Sequence, residues 1–98
     1  AEAFRPPGGK WVDLSRSPAL ARLFATLLEA RVEQPGKSLA VDILQQKTWP
    51  DERLLDDAAM NRLNVNLSKL RSLGLRPILQ RVDEGYLFDD AVEIVDIQ

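Results

Sequence analysis

Hydrophobic residues recur at helical spacing in three stretches of the chain. In the first, one face of a predicted helix is formed by Leu20, Leu23, Phe24, Leu27 and Leu28. Ser17 stands where an N-cap is expected, and Pro18 takes the first helical position, where its missing N–H costs nothing. Gln34-Pro35-Gly36 is predicted to end this helix.

The second stretch, residues 39–48, predicts a shorter helix. Leu44 and either Ala40 or Val41 are expected to face the core. The helix is predicted to end at Trp49, because the residue before a proline disfavours the helical conformation. We interpret Trp49 as a core anchor, since a large aromatic residue at a helix end in a small domain is usually buried.

The third stretch, residues 57–73, predicts the helix around which the chain is organised. Its hydrophobic stripe is formed by Leu63, Leu67 and Leu70 and is extended by Met60 and Leu73. Asp56 or Asp57 is placed to cap the N-terminus, where a negative charge also favours the helix dipole. Gly74 is the expected residue after the helix, and Pro77 prevents its continuation.

Two strands are predicted after the third helix, at residues 78–82 and 85–88, with an acidic turn between them. Three helices followed by a hairpin predict an α+β fold, the winged helix-turn-helix. In this plan the second and third helices form the helix-turn-helix and the C-terminal β-hairpin is the wing.

The two ends of the chain carry weaker patterns. Residues 1–10 are rich in proline and glycine and are predicted to be irregular, and residues 11–14 predict a short N-terminal strand. The winged-helix domain is therefore predicted over residues 11–90. Residues 91–98 alternate loosely, so they form either a tail or an extra edge strand.

Three short motifs stand in order at characteristic spacing: Pro35-Gly36 with Leu44 and Trp49, then Leu67-Ser-Lys-Leu70-Arg71, then Gly85-Tyr86. Together, over residues 11–88, they resemble the C-terminal effector domain of bacterial transcription regulators of the OmpR/PhoB type. The resemblance implies a winged helix that binds DNA. It does not imply a phosphorelay, because the receiver domain of such regulators is not represented in these residues. Separately, the absence of cysteine and of a secretory signal pattern favours a reducing, cytoplasmic compartment.

Charge is distributed unevenly along the chain. From Ala58 to Val82 there are five basic residues and no acidic one, whereas the rest of the chain carries a net charge of -7. A basic segment in a chain of overall net charge -2 indicates an anionic partner, and double-stranded DNA fits it.

The outward side of the third helix supplies the residues expected to read bases, which are Asn61, Arg62, Val65, Asn66 and Lys69. Asparagine can pair with adenine, arginine or lysine with guanine, and an exposed valine can touch a thymine methyl group. Arg71 is expected to contact either a phosphate or an internal acid. Arg76 and Arg81 are candidates for phosphate contacts.

The turn of the hairpin departs from the family pattern. The family places a basic residue shortly before its Gly-Tyr motif, and here that position is Val82, followed by Asp83 and Glu84. Two carboxylates would repel phosphates. Either the hairpin stays off the DNA, or this winged helix serves as a protein–protein interaction or assembly module.

Two further partners follow from the resemblance. It implies a contact with RNA polymerase through the acidic segment 50–57, although the residues alone predict a capped, solvated loop there. Winged-helix modules also gain affinity by pairing on adjacent half-sites, so a homodimer on DNA is a further expectation.

Several functional classes are excluded by composition. The chain has no histidine, no cysteine and no glycine-rich phosphate loop, so we expect neither an enzyme nor a metal site or cofactor. A length of 98 residues, of which 45 % are hydrophobic, allows one domain with a modest core. The apolar runs are far shorter than the roughly 20 residues that cross a bilayer, so no membrane partner is expected.

Overall fold

The computed structural model describes residues 3–50, 57–91 and 94–97. Within these residues the chain forms three helices, which are α1 Pro18–Glu33, α2 Val41–Thr48 and α3 Asp57–Leu70. The strands are β1 Ala3–Arg5, β2 Val12–Asp13, β3 Leu39–Ala40, β4 Leu79–Val82, β5 Gly85–Phe88 and β6 Val95–Ile97. The fold is α+β, as predicted, and is compatible with the winged-helix plan.

The strands pair into two antiparallel sheets of three strands, in the orders β2-β1-β6 and β3-β5-β4. The predicted hairpin is confirmed as β4 and β5, in which Val82 pairs with Gly85 across a two-residue turn. The first turn residue, Asp83, has a φ of 55°. Tight hairpins require such a conformation, and aspartate is among the few residues that tolerate it.

A column of three aromatic rings joins the two sheets through α1. The ring of Phe24 on α1 stacks on Phe4 of β1, with centroids 4.6 Å apart, and meets Phe88 of β5 at 5.6 Å. All three side chains are fully buried or nearly so. Helix α1 also packs against α2 and α3, so it is the element on which both sheets and both other helices converge.

Helix α3 ends close to where its sequence predicts. After Leu70 the backbone widens into a single π-helical turn, Arg71–Leu75, in which Gly74 has a φ of 111°. Glycine reaches this conformation at little cost, whereas a side chain would strain it. The predicted stop at Gly74 is therefore confirmed.

The prediction of an irregular segment over residues 1–10 is wrong at β1. Strand β1 pairs with β2 on one side and with β6 on the other. Phe4 provides the reason, because its ring lies at the centre of the core, fully shielded from solvent. The core therefore extends beyond the predicted boundary at residue 11. The alternative of an extra strand within residues 91–98 is confirmed by β6.

The predicted helix over residues 39–48 is wrong at its first two residues. Leu39 and Ala40 form β3, which pairs with Tyr86 and Gly85 of β5. Local propensity favours a helix for both residues, but strand pairing overrides it. The core-facing residue at the start of α2 is Val41 rather than Ala40, because Ala40 is exposed.

Met60 was expected in the hydrophobic stripe of α3, but its side chain is 36 % exposed. Ala59 is buried in its place, together with Leu63, Leu67 and Leu70. The stripe thus begins one residue earlier than predicted. The Met60 sulfur instead accepts a hydrogen bond from Nε2 of Gln45 at 3.1 Å, which links α2 to the first turn of α3.

The N-terminal caps predicted for α1 and α3 are only partly visible in the structure. Ser17 precedes α1 as expected, with Pro18 at the helix start, but its side chain makes no capping hydrogen bond. Asp57 is the first residue of α3. The alternative cap Asp56 lies outside the described residues, as do residues 51–56 of the segment 50–57 that is expected to contact RNA polymerase.

Replacing Phe24 with leucine tests the aromatic column. Leucine keeps most of the apolar volume but removes both ring contacts, each worth about 0.5–1.5 kcal/mol beyond area burial. We expect Phe24→Leu to lower the free energy of unfolding by about 1–3 kcal/mol in urea titrations. A change below about 0.5 kcal/mol would show that the column does not hold the sheets together.

Candidate nucleic-acid interface

Helix α3 divides into a buried face and an exposed face. The buried face consists of Ala59, Leu63, Asn66, Leu67 and Leu70. The exposed residues on the other side, after Asp57, include no acidic residue. The helix is therefore held by the core along its length and offers solvent a surface of amide, hydroxyl, amine and methyl groups.

Three of the predicted base-reading residues lie on this exposed face. Asn61, Val65 and Lys69 follow each other at intervals of four residues, so they form one row along the helix. Val65 is 45 % exposed, which is high for a β-branched apolar residue in a helix that has a complete core stripe. Asn64 and Ser68 are exposed on the flank of this row.

Arg62 lies at the edge of the exposed face and is held against α2. Its guanidinium carbon is 4.3 Å from the ring centroid of Trp49, the residue that follows α2. Trp49 is 8 % exposed, so the predicted core anchor is confirmed. The side chain of Arg62 thus joins α3 to the end of α2, a role that the sequence did not indicate.

Asn66 was expected to point outward, and this prediction is wrong. Its side chain is 9 % exposed, and its Nδ2 donates a hydrogen bond to the backbone carbonyl of Arg62 at 2.8 Å. An asparagine side chain can form a hydrogen bond within its own helix in this way, because its amide group reaches the backbone carbonyl four residues earlier. The position lies between the buried Leu63 and Leu67 stripe and the exposed face.

Two predicted phosphate-contact residues converge on one aromatic ring. The guanidinium carbons of Arg71 and Arg81 lie 5.7 and 5.9 Å from the ring centroid of Tyr86. Arg81 is the cross-strand neighbour of Tyr86 in the hairpin, and Arg71 comes from the turn that follows α3. The end of α3 and the half of the hairpin nearer its turn therefore share a basic cluster, Arg71, Arg81 and Tyr86, which we call the Tyr86 cluster.

The electrostatics of this region favour an anion. Within the described residues, Lys69, Arg71, Arg76 and Arg81 form no ion pair. Arg71 was expected to meet a phosphate or an internal acid, and among these residues no acid pairs with it. Asp83 and Glu84 at the hairpin turn are exposed and extend beyond the Tyr86 cluster.

The described part of the chain offers neither a metal site nor a membrane-spanning helix. In those residues no group of three acidic side chains is placed to hold a metal ion. None of the helices described above is both long and apolar enough to cross a bilayer.

Gly85 in the Gly-Tyr motif has a packing role. A Cβ at this position would stand 2.7 Å from the carbonyl carbon of Leu39 and would clash with the backbone of β3. The absence of a side chain lets β5 run between β3 and β4, and so places Tyr86 beneath the two arginines.

Arg62→Ala is expected to lower the free energy of unfolding by about 1–2 kcal/mol, because it removes the contact with Trp49 that joins α2 to α3. Chemical unfolding followed by circular dichroism measures the change. The matched control is Arg22→Ala on the exposed side of α1, where the loss should stay within about 0.5 kcal/mol. Equal losses in the two variants would contradict a joining role for Arg62.

Comparison with known proteins adds no relative: no family model, no curated protein and no solved structure matches the chain. The likeness to OmpR/PhoB-type effector domains therefore rests on the three motifs in the sequence. Two of their residues have structural roles that are independent of ancestry, since Leu44 is fully buried and Gly85 packs against β3.

Proposed function

We propose that this chain binds double-stranded DNA, with the exposed face of α3 in the major groove. The observation that carries the proposal is the row Asn61, Val65 and Lys69, which is exposed on a helix that the core holds rigidly from behind. As the resemblance to OmpR/PhoB-type domains implies, the biological role would be that of the effector domain of a bacterial transcription regulator.

The row offers one group each for the edges of adenine, guanine and thymine. The Asn61 amide can donate and accept on adenine, the Lys69 ammonium can donate to guanine, and the Val65 methyl groups can pack on a thymine methyl. A major groove about 12 Å wide admits a single helix. Arg62 and Asn66 are less suited to reading bases, because one is stacked on Trp49 and the other is buried.

The Tyr86 cluster supplies the positioning contacts in this proposal. Arg71 lies just after α3 and Arg81 lies in β4, where a phosphate beside the groove would lie. The cation–π contacts with Tyr86 limit the freedom of both guanidinium groups, so less entropy is lost when they bind. Arg76 is exposed just beyond the turn and can add a further phosphate contact.

The hairpin contributes through Arg81 of β4 rather than through the two residues of its turn. Asp83 and Glu84 at the turn carry two negative charges that phosphates would repel. A tip that stays away from the backbone leaves the Tyr86 cluster as the contact nearest to α3.

A second candidate function rests on the same turn. Exposed Asp83 and Glu84 on a rigid two-residue turn suit a basic protein surface. In that case the domain would serve in protein–protein assembly, and α3 would not contact DNA.

Titration of a fluorescent random-sequence duplex by anisotropy tests DNA binding. Non-specific affinity of roughly 10⁻⁴–10⁻⁶ M is expected at physiological salt, and log K should fall linearly with log salt. Selection from a random duplex pool then identifies a preferred site. On that site Lys69→Ala and Val65→Ala should each cost about 1–3 kcal/mol.

Each variant has a matched control elsewhere on the surface. Lys37→Ala removes the same charge from the exposed connection between α1 and α2, and Val32→Ala shortens a valine that is 75 % exposed on α1. Both controls should bind the selected site like the parent. The proposal fails if the parent does not bind at low salt, or if the α3 variants bind no more weakly than their controls.

Removing the two negative charges of the hairpin turn distinguishes DNA binding from protein–protein assembly. The double variant Asp83→Asn, Glu84→Gln keeps the shape of the turn and removes two charges. If α3 binds DNA, affinity for all duplexes should rise by about two- to fivefold at 50 mM salt, because two phosphate-repelling charges near the interface are lost. An unchanged DNA affinity, together with loss of binding to a basic protein surface, would support the assembly function.

A further inference from the structure

The connection between β1 and β2 packs against the turn that follows α3 through one residue, Pro6. Pro6 is buried, although it lies in a loop. Its Cγ is so close to two glycines that a Cβ would stand 2.7 Å away at Gly9 and 2.6 Å away at Gly74. Both glycine backbones therefore touch the same carbon atom. The N–H of Gly9 also donates to the Pro6 carbonyl at 3.0 Å, which closes the loop.

This contact brings together charged residues that are far apart in sequence. Lys10 follows Gly9 directly, and Arg76 lies two residues after Gly74, so each is a near neighbour in sequence of a glycine that packs on Pro6. Arg5 immediately precedes Pro6. All three side chains are exposed, and within the described residues none of them forms an ion pair.

An exposed aromatic residue completes the surface. Trp11 is 48 % exposed, and the guanidinium carbon of Arg5 lies 5.8 Å from its ring centroid. Tryptophan buries apolar area and also attracts cations, so an exposed ring beside unpaired cations is suited to a sugar–phosphate chain. We call the loop Pro6–Trp11 with Arg76 the N-terminal basic loop.

We propose that the N-terminal basic loop is a second DNA contact, which holds backbone phosphates beside the C-terminal end of α3. The inference rests on the proposed function of α3. Lys10 and Arg76 would bind phosphates, and Trp11 would pack on the adjacent sugar. The loop carries the basic charge that the hairpin turn lacks, since its residues include Lys10 and Arg76 and no acid, whereas the turn consists of Asp83 and Glu84.

The Pro6 contact also determines where this second contact acts. Because Pro6 packs on Gly74, the loop lies directly against the end of α3. Its phosphate contacts would therefore fix the angle and register of α3 in the groove. Such contacts carry no sequence information and should strengthen binding to all duplexes equally.

The test is the double variant Lys10→Ala, Arg76→Ala. Two lost phosphate contacts should reduce the slope of log K against log salt by about 1.8 and weaken binding at 0.1 M salt on the order of tenfold, with the same factor on selected and random duplexes. The matched control, Lys37→Ala, Arg22→Ala, removes the same charge from exposed positions on and after α1.

Tryptophan fluorescence gives a second readout that does not depend on affinity. The chain has two tryptophans, of which Trp11 is exposed and Trp49 is buried. Saturating duplex should protect Trp11 from acrylamide quenching, and this protection should disappear in Trp11→Phe. Circular dichroism confirms that the variants remain folded.

Three outcomes overturn the inference. If the test variant loses no more affinity than its control, the effect is one of net charge alone. If Trp11 stays equally quenchable with duplex present, the loop does not lie on the DNA. In both cases continued binding by the parent, and its weakening by Lys69→Ala, would leave the proposed function of α3 standing. Absence of any binding by the parent would overturn both proposals together.

Discussion

The packing of Phe24 between Phe4 and Phe88 is the constraint on which the rest of the structure depends. Each sheet has only three strands, of two to four residues each, and such short strands depend on packing against a helix. Helix α1 gives both of them a common hydrophobic surface, and the same helix supports α2 and α3. The exposed face of α3 can be polar because its opposite face is buried in this core and holds the helix in place.

Aromatic rings organise the basic residues around α3 as well as the core. Arg62 is stacked on Trp49 at one edge of the helix, and Arg71 and Arg81 share Tyr86 at its end. The contacts with Tyr86 restrict two long, flexible side chains, Arg71 and Arg81, and within the described residues no acid neutralises their charge. A surface arranged in this way keeps its attraction for an anion while losing little entropy on binding.

The strong periodic signals in the sequence predicted the three helices, the hairpin and the stop at Gly74, because each depends on residues close together in the chain. Predictions failed where distant residues decided the outcome. Leu39 and Ala40 form a strand only because β5 lies beside them, and residues 3–5 do so because Phe4 reaches Phe24. The sequence correctly predicted that Val65 and Lys69 are exposed on α3. It wrongly placed Met60 in the hydrophobic stripe, because the stripe begins one residue earlier and buries Ala59 instead.

The pairing of β1 with β6 has a mechanical consequence. Ala3 is opposite Ile97, so the first and last strands lie side by side with their outer ends together. A force that pulls these two ends apart acts across the strands and loads one bridge at a time, beginning at Ala3 and Ile97. The two strands would therefore separate one residue pair at a time under a small force. Because Phe4 belongs to β1, its ring would leave the core when β1 detached.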